Sequence, residues 1–132
     1  MAGSSTVLTA HDVEGSVKRF HVTATGDDTD GTMPTLALPS ISGKLILLVT
    51  NPGVTGPTAS YDITLVDAAG VDRLQGVGAD RHTSNTEQVG IFFSGTSLHV
   101  PVVYSDVLTL TIANTSVNDA TTEIYIYYEG TA

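Results

Sequence analysis

Apolar and polar residues alternate along Val17–Thr25. Val17, Arg19, His21, Thr23 and Thr25 share one face, and Lys18, Phe20, Val22 and Ala24 share the other. A period of two predicts a β-strand with one mostly buried side. The run KLILLVT at Lys44–Thr50 is instead continuously apolar, with Ser42-Gly43 before it and Asn51-Pro52-Gly53 after it, and predicts a central strand buried on both faces. Tyr61–Val66 alternates again. Asp67-Ala68-Ala69-Gly70 then supplies a turn in which Gly70 takes the positive φ that closing a hairpin usually demands. Further strands are expected at Val71–Gly76, Gln88–Phe93, Ser97–Val103, Val107–Ala113 and Glu123–Glu129, each bounded by Gly, Asn, Ser, Asp or Pro. Ala79–Gln88 (ADRHTSNTEQ) has the polarity of a loop or one helical turn, with Thr83 or Ser84 as cap for Glu87.

About eight short strands joined by turn residues predict an all-β fold, an antiparallel β-sandwich of jelly-roll or Greek-key type. The stretch before Val17 is too polar to form a core, so residues 1–16 are expected to be an extended N-terminal arm and residues 17–132 a single sandwich domain. Gly26–Ser42 and Gly76–Glu87 are longer than hairpin turns, and long loops on a rigid sandwich are where partner contacts usually sit.

Composition narrows the function. A chain of 132 residues suits one domain, and 41% apolar residues are enough for one core without metals or disulfides. There is no cysteine, which removes disulfides, thiolate zinc sites and a cysteine nucleophile. Fourteen acidic residues against five basic ones, a net charge of -9, argue against nucleic acid as partner. The N-terminus lacks the positive and continuously apolar regions of a signal peptide, and no window approaches about 18 apolar residues, so a soluble protein made in the cytoplasm with no membrane partner is expected.

Candidate chemistry is sparse. Asp27-Asp28-Thr29-Asp30-Gly31 resembles the opening of a calcium loop, but Met33, Pro34 and Leu36 occupy the space where further oxygen ligands belong, and the segment reads as a solvated acidic loop. His11, His21, His82 and His99 lack the spacing that sets two imidazoles on one metal. No G-x-S-x-G turn presents a serine. No catalytic, metal or cofactor residue is therefore assigned, and a building block is expected rather than an enzyme. Arg73 and Arg81 lie close in sequence to Asp72 and Asp80. They read either as local ion pairs worth about 0.5 kcal/mol or as bridges to an acidic neighbouring subunit.

The central block Tyr61–Asp67, then Gly70-Val71-Asp72, Leu74, Gly76, Gly78-Ala79-Asp80-Arg81 and Thr86-Glu87-Gln88, resembles a segment of small structural proteins of tailed bacteriophages. Leu108–Ile112, Asn118 and Glu123–Tyr127 resemble how such chains end. Arg73 departs from the pattern, which leads one to expect an apolar strand residue there. The resemblance implies a virion protein, foremost a decoration or cement protein that binds the major capsid protein on the outer capsid surface. It also implies association with copies of itself, as a trimer in preference to a dimer. Contact candidates are Ser4, Ser5, Thr6, Val7 and Leu8 in the arm, which would reach across a neighbour by β-augmentation, and Arg73, Arg81 and His82 in the central block. The rival readings are a neck, tail or fibre-base component, and a carbohydrate-binding sandwich that would use the C-terminal tyrosines and the Asp27–Asp30 loop.

Overall fold

The computed structural model describes residues 5–91 and 102–131. They form nine strands and, among the described residues, no helix: β1 (Ser5–Asp12), β2 (Val17–Thr25), β3 (Leu36–Ala37), β4 (Ile41–Pro52), β5 (Asp62–Val66), β6 (Glu87–Gly90), β7 (Val102–Asp106), β8 (Thr109–Ala113) and β9 (Thr121–Thr131). The large sheet has the order β1-β2-β9-β4-β6, with β7 also pairing β4. The small sheet has the order β3-β8-β5. All the strand pairs are antiparallel, and β9 inserts between β2 and β4, so sequence neighbours are not sheet neighbours throughout. The chain is an all-β antiparallel sandwich.

Its core lies between the sheets. Period-two alternation on β2 sends Phe20, Val22 and Ala24 inward against Ile63 and Leu65 of β5 and Leu110 and Ile112 of β8, joined by Leu45 and Leu48 of β4 and Ile124, Ile126 and Tyr128 of β9. Burying each large side chain stabilises the fold by roughly 1.5–3 kcal/mol. Tyr61 is also fully buried, and its hydroxyl lies 3.1 Å from Thr122 Oγ1, which satisfies the polar tip.

Three expectations are revised. Lys44–Thr50 does lie in a central strand, but only one face is covered: Leu45, Leu48 and Thr50 are buried, whereas Ile46 is 39% exposed. A sandwich of two sheets has no third layer to cover the outer face, and a bulge between Leu45 and Leu47 resets the alternation.

The N-terminal segment does not extend away as an arm. Ser5–Asp12 is β1, hydrogen-bonded to β2 from Ser5↔Thr25 to Asp12↔Arg19. Thr6 and Leu8 face inward, and Gly15 (φ 79°) closes the hairpin, so modest apolar content suffices at a sheet edge.

Val71–Gly76 is not the return strand of a hairpin. The turn forms as expected, with Gly70 at φ 86°, but only an isolated bridge, Val66↔Asp72, follows. The Asp72 carboxylate accepts N–H bonds from Leu65, Leu74 and Gly76 at 3.0, 3.0 and 3.2 Å, which bends the chain into successive turns. The resulting strap runs along the free edge of β5: Arg73 N donates to Leu65 O, Ile63 N to Gly78 O and Arg81 N to Tyr61 O, each within 2.8 Å. Gly78 permits the approach, because a Cβ there would sit 2.2 Å from Ile63 O.

The strands expected at Gln88–Phe93 and Ser97–Val103 are only partly within the described residues. β6 ends at Gly90, and β7 begins at Val102 and runs on to Asp106.

Candidate interaction surface

The register fixes which side chains share the outer face of the large sheet. Across the strands run the rows Asp12–Arg19–Tyr127–Leu47, then Ala10–His21–Tyr125–Val49–Gln88, then Val7–Thr23–Glu123–Asn51. These side chains hold one another. His21 stacks on Tyr125 with ring centroids 4.4 Å apart, and its Nε2 donates to the Glu123 carboxylate at 2.8 Å. Asn51 Nδ2 donates to the other oxygen of Glu123 at 3.1 Å, and Thr86 donates to Asn51 at 2.8 Å. The Arg19 guanidinium lies 5.2 Å from the Tyr125 ring centre and 5.9 Å from that of Tyr127 while pairing with Asp12 at 2.9 Å. Burial, with the Glu123 carboxylate adding to it, pushes the Tyr125 phenol above its ordinary pKa. The centre of this face is thus a cross-linked network in which His21 and Arg19 lie against the tyrosine rings.

The contact candidates from the sequence fall in two separate places. Ser4 lies outside the described residues. Ser5, Thr6, Val7 and Leu8 belong to β1, with Val7 exposed, Thr6 buried and Leu8 packed on the core. Arg73, Arg81 and His82 lie in the connection from β5 to β6, and β6 is at the opposite side of the large sheet from β1. Their polar groups are engaged within the chain, though not with the sequence neighbours Asp72 and Asp80. Arg73 pairs with Asp67 at 2.6 Å, and Arg81 with Glu87 at 3.4 Å. The His82 Nδ1 accepts the backbone N–H groups of Ser84 and Asn85, so the ring holds the loop where a helical turn was an option. Asp67 also accepts from Ala69 and Val71, and the Val71 N–H leads the interactions that hold its carboxyl below the ordinary range. Arg73, anomalous for a strand, is a turn lock.

The acidic loop is likewise folded on itself. Asp27 accepts from Thr29 N at 2.7 Å, and Asp30 accepts from Thr32 N at 3.0 Å and Thr32 Oγ1 at 2.8 Å. Among the described residues no three metal-ligating side chains gather.

Strand direction gives the sandwich two distinct ends. The loop end carries residues 26–35, 53–61, 82–86 and 114–120, and collects Asp27, Asp28, Asp30, Asp62, Asp80 and Asp119. The hairpin end carries residues 13–16, 38–40, 67–71 and 107–108. Most of the exposed large apolar side chains lie toward it: Val13, Val17, Val71, Val102, Tyr104 and Val107, with Val17 54% and Tyr104 84% exposed. A groove of about 690 Å³ opens beside the β1–β2 hairpin, lined by Val13 and Val17 and by charges of both signs, Asp12 and Glu14 with Lys18 and Arg19. Periodicity did not reveal this grouping, because it depends on which chain reversals the topology brings together.

No family model and no curated protein matches the chain. Among solved structures it is similar to a chain of the cyanophage Pam1 capsid asymmetric unit, with TM-score 0.49 and 14% identity over 94% of this chain and 91% of that one. It is similar to a chain of the acidic-stable capsid of Helicobacter pylori bacteriophage KHP30, with TM-score 0.37 and 11% identity over 98% and 93%. It is also similar to the N-terminal cellulose-binding domain of Cellulomonas fimi β-1,4-glucanase C, with TM-score 0.34 and 11% identity over 90% and 80%. Capsid chains and a sugar-binding domain thus stand side by side at low scores, and the choice between them falls to the surface itself.

Proposed function

We propose that the protein is a structural component of a phage virion, and within the virion a decoration (cement) protein that binds the outer surface of the capsid. The role is non-catalytic and needs binding alone. The observation that carries it is that most of the exposed large apolar side chains among the described residues lie toward one end of the sandwich, at the β1–β2 hairpin and along β7, since apolar surface left open favours a protein partner. The sugar-binding reading is weaker on physical grounds. A sugar ring stacks on an open aromatic face, and here His21 stacks on Tyr125 while Arg19 lies over Tyr125 and Tyr127.

The test is binding of the purified protein to shells assembled from the major capsid protein encoded in the same genome, read by co-sedimentation and by copy number on the particle. Saturable binding at a fixed number of copies per capsomer is the expected result. Binding at only a few sites per particle would move the protein to the neck or tail, and retention on polysaccharide without shell binding would favour the sugar module.

A further inference from the structure

An open strand edge presents unpaired N–H and C=O groups to other chains, so sandwiches cover, shorten or charge their edges. In this chain the edges differ. The strap of residues 72–81 covers β5, β3 has two residues, and β6 and β7, which share one side of β4, have four and five. β6 carries Glu87 and β7 carries Asp106, and Ser105 at φ 46° interrupts β7. Among the described residues only β1 is a long edge, and it has no charged residue and no proline before its last residue, Asp12. We infer that β1 pairs antiparallel with β1 of a second copy, joining the two large sheets across a two-fold axis. This stands apart from the decoration reading, because such a pair forms whatever else the chain binds, and it puts a dimer in place of the trimer that the resemblance implies.

The flank around β1 selects that occupant. β3 lies against β1 across the sandwich, so the flank is built from residues 5–11 and from the chain around β3. Residues 5–11 and 31–43 contain no Asp, Glu, Lys or Arg, in a chain whose fourteen acidic and five basic residues give a net charge of -9. Two copies repel wherever their carboxylates meet, and this flank lets them approach without that repulsion. Interface centres are likewise depleted in charge. Val7 is 53% exposed on β1, and Pro34, Thr35 and Ala37 are exposed in the β3 layer. The hydroxyl of Thr6 is buried on β1 and has no hydrogen-bond partner within the chain, a lack that a strand laid alongside can meet, as threonines do in cross-strand pairs. An antiparallel edge is also complementary to itself under a two-fold, since each copy offers the row of groups that the other leaves unpaired. The bulge between Leu8 and Ala10 bends the second half of β1, which leaves Ser5–Leu8 as the regular segment that pairs.

The experiment is light scattering on the purified chain from micromolar to millimolar concentration, with the variant Val7→Lys and the control Val54→Lys. Wild type is expected to reach twice the 13.7 kDa of one chain. A lysine at position 7 sets two like charges near the axis and is expected to weaken the dimer on the order of tenfold or more. Val54→Lys makes the same change in net charge on an exposed loop residue and is expected to dimerise as wild type does. A wild-type monomer at every concentration overturns the inference, and so does a trimer. A dimer that Val7→Lys leaves intact overturns it as well. Should Val7→Lys fail to fold, hydrogen exchange of the wild-type chain reads the same edge over concentrations that span monomer and dimer. The amides of residues 5–8 are expected to exchange more slowly as the dimer fills, while those of β5, already covered by the strap, keep one rate. Exchange at residues 5–8 that ignores dimer formation would place the contact elsewhere and sink the proposal.

Discussion

Asp72 shows how much one side chain decides. Its carboxylate takes the backbone N–H groups of Leu65, Leu74 and Gly76, so a stretch with strand-like composition becomes a run of turns. Asp72→Ala leaves those donors to be satisfied otherwise and is expected to cost about 1–3 kcal/mol in urea unfolding. Asp72→Asn, which keeps an acceptor, should cost less, and equal losses for the two would contradict this account. His11 is the second such residue. The bulge after Leu8 turns it inward, where it stacks on Phe20 at 4.3 Å and bonds the Tyr128 hydroxyl at 2.6 Å. Burial lowers its pKa below the ordinary 6.5, against the opposing pull of Asp12. The unfolded chain therefore binds the proton first as pH falls, and stability is lost from about 6.5 down to the folded value. The urea midpoint should drop more between about pH 7.5 and about pH 5 in wild type than in His11→Gln. Equal drops would show that His11 contributes nothing. Neither role is visible in the order of residues. Arg73 looked paired with its neighbour Asp72, yet the turn brings Asp67 to it instead.

Strands whose alternation is regular were legible. Val17–Thr25 is β2 with the expected faces, and Tyr61–Val66 matches β5 to within one residue, because one wet and one dry face imprint a period of two on the sequence. What failed was the edge. The N-terminal segment is polar enough to resemble an arm, but an edge strand needs only a few inward side chains once its backbone bonds to a neighbour. Removing residues 1–12 is therefore expected to strip the cover from β2 and Phe20 and to abolish cooperative thermal unfolding. A truncated chain that melts as sharply as the parent, at a similar temperature, would restore the arm.

At the scale of the molecule, fold class was readable, and the grouping of exposed apolar residues was not. The named contact candidates divide between β1 and the loop holding Arg73, Arg81 and His82, whereas most of the exposed large apolar side chains among the described residues lie toward the hairpin end, where the topology places chain reversals from opposite edges of the large sheet. The strap along β5 adds a consequence of its own. A bare strand edge is a template on which another chain can be laid, and particles that carry many copies hold them at very high local concentration. By folding residues 72–81 against that edge, the chain acts as its own terminating strand, and copies brought together in the proposed role would have no route to zip into fibres through the small sheet there.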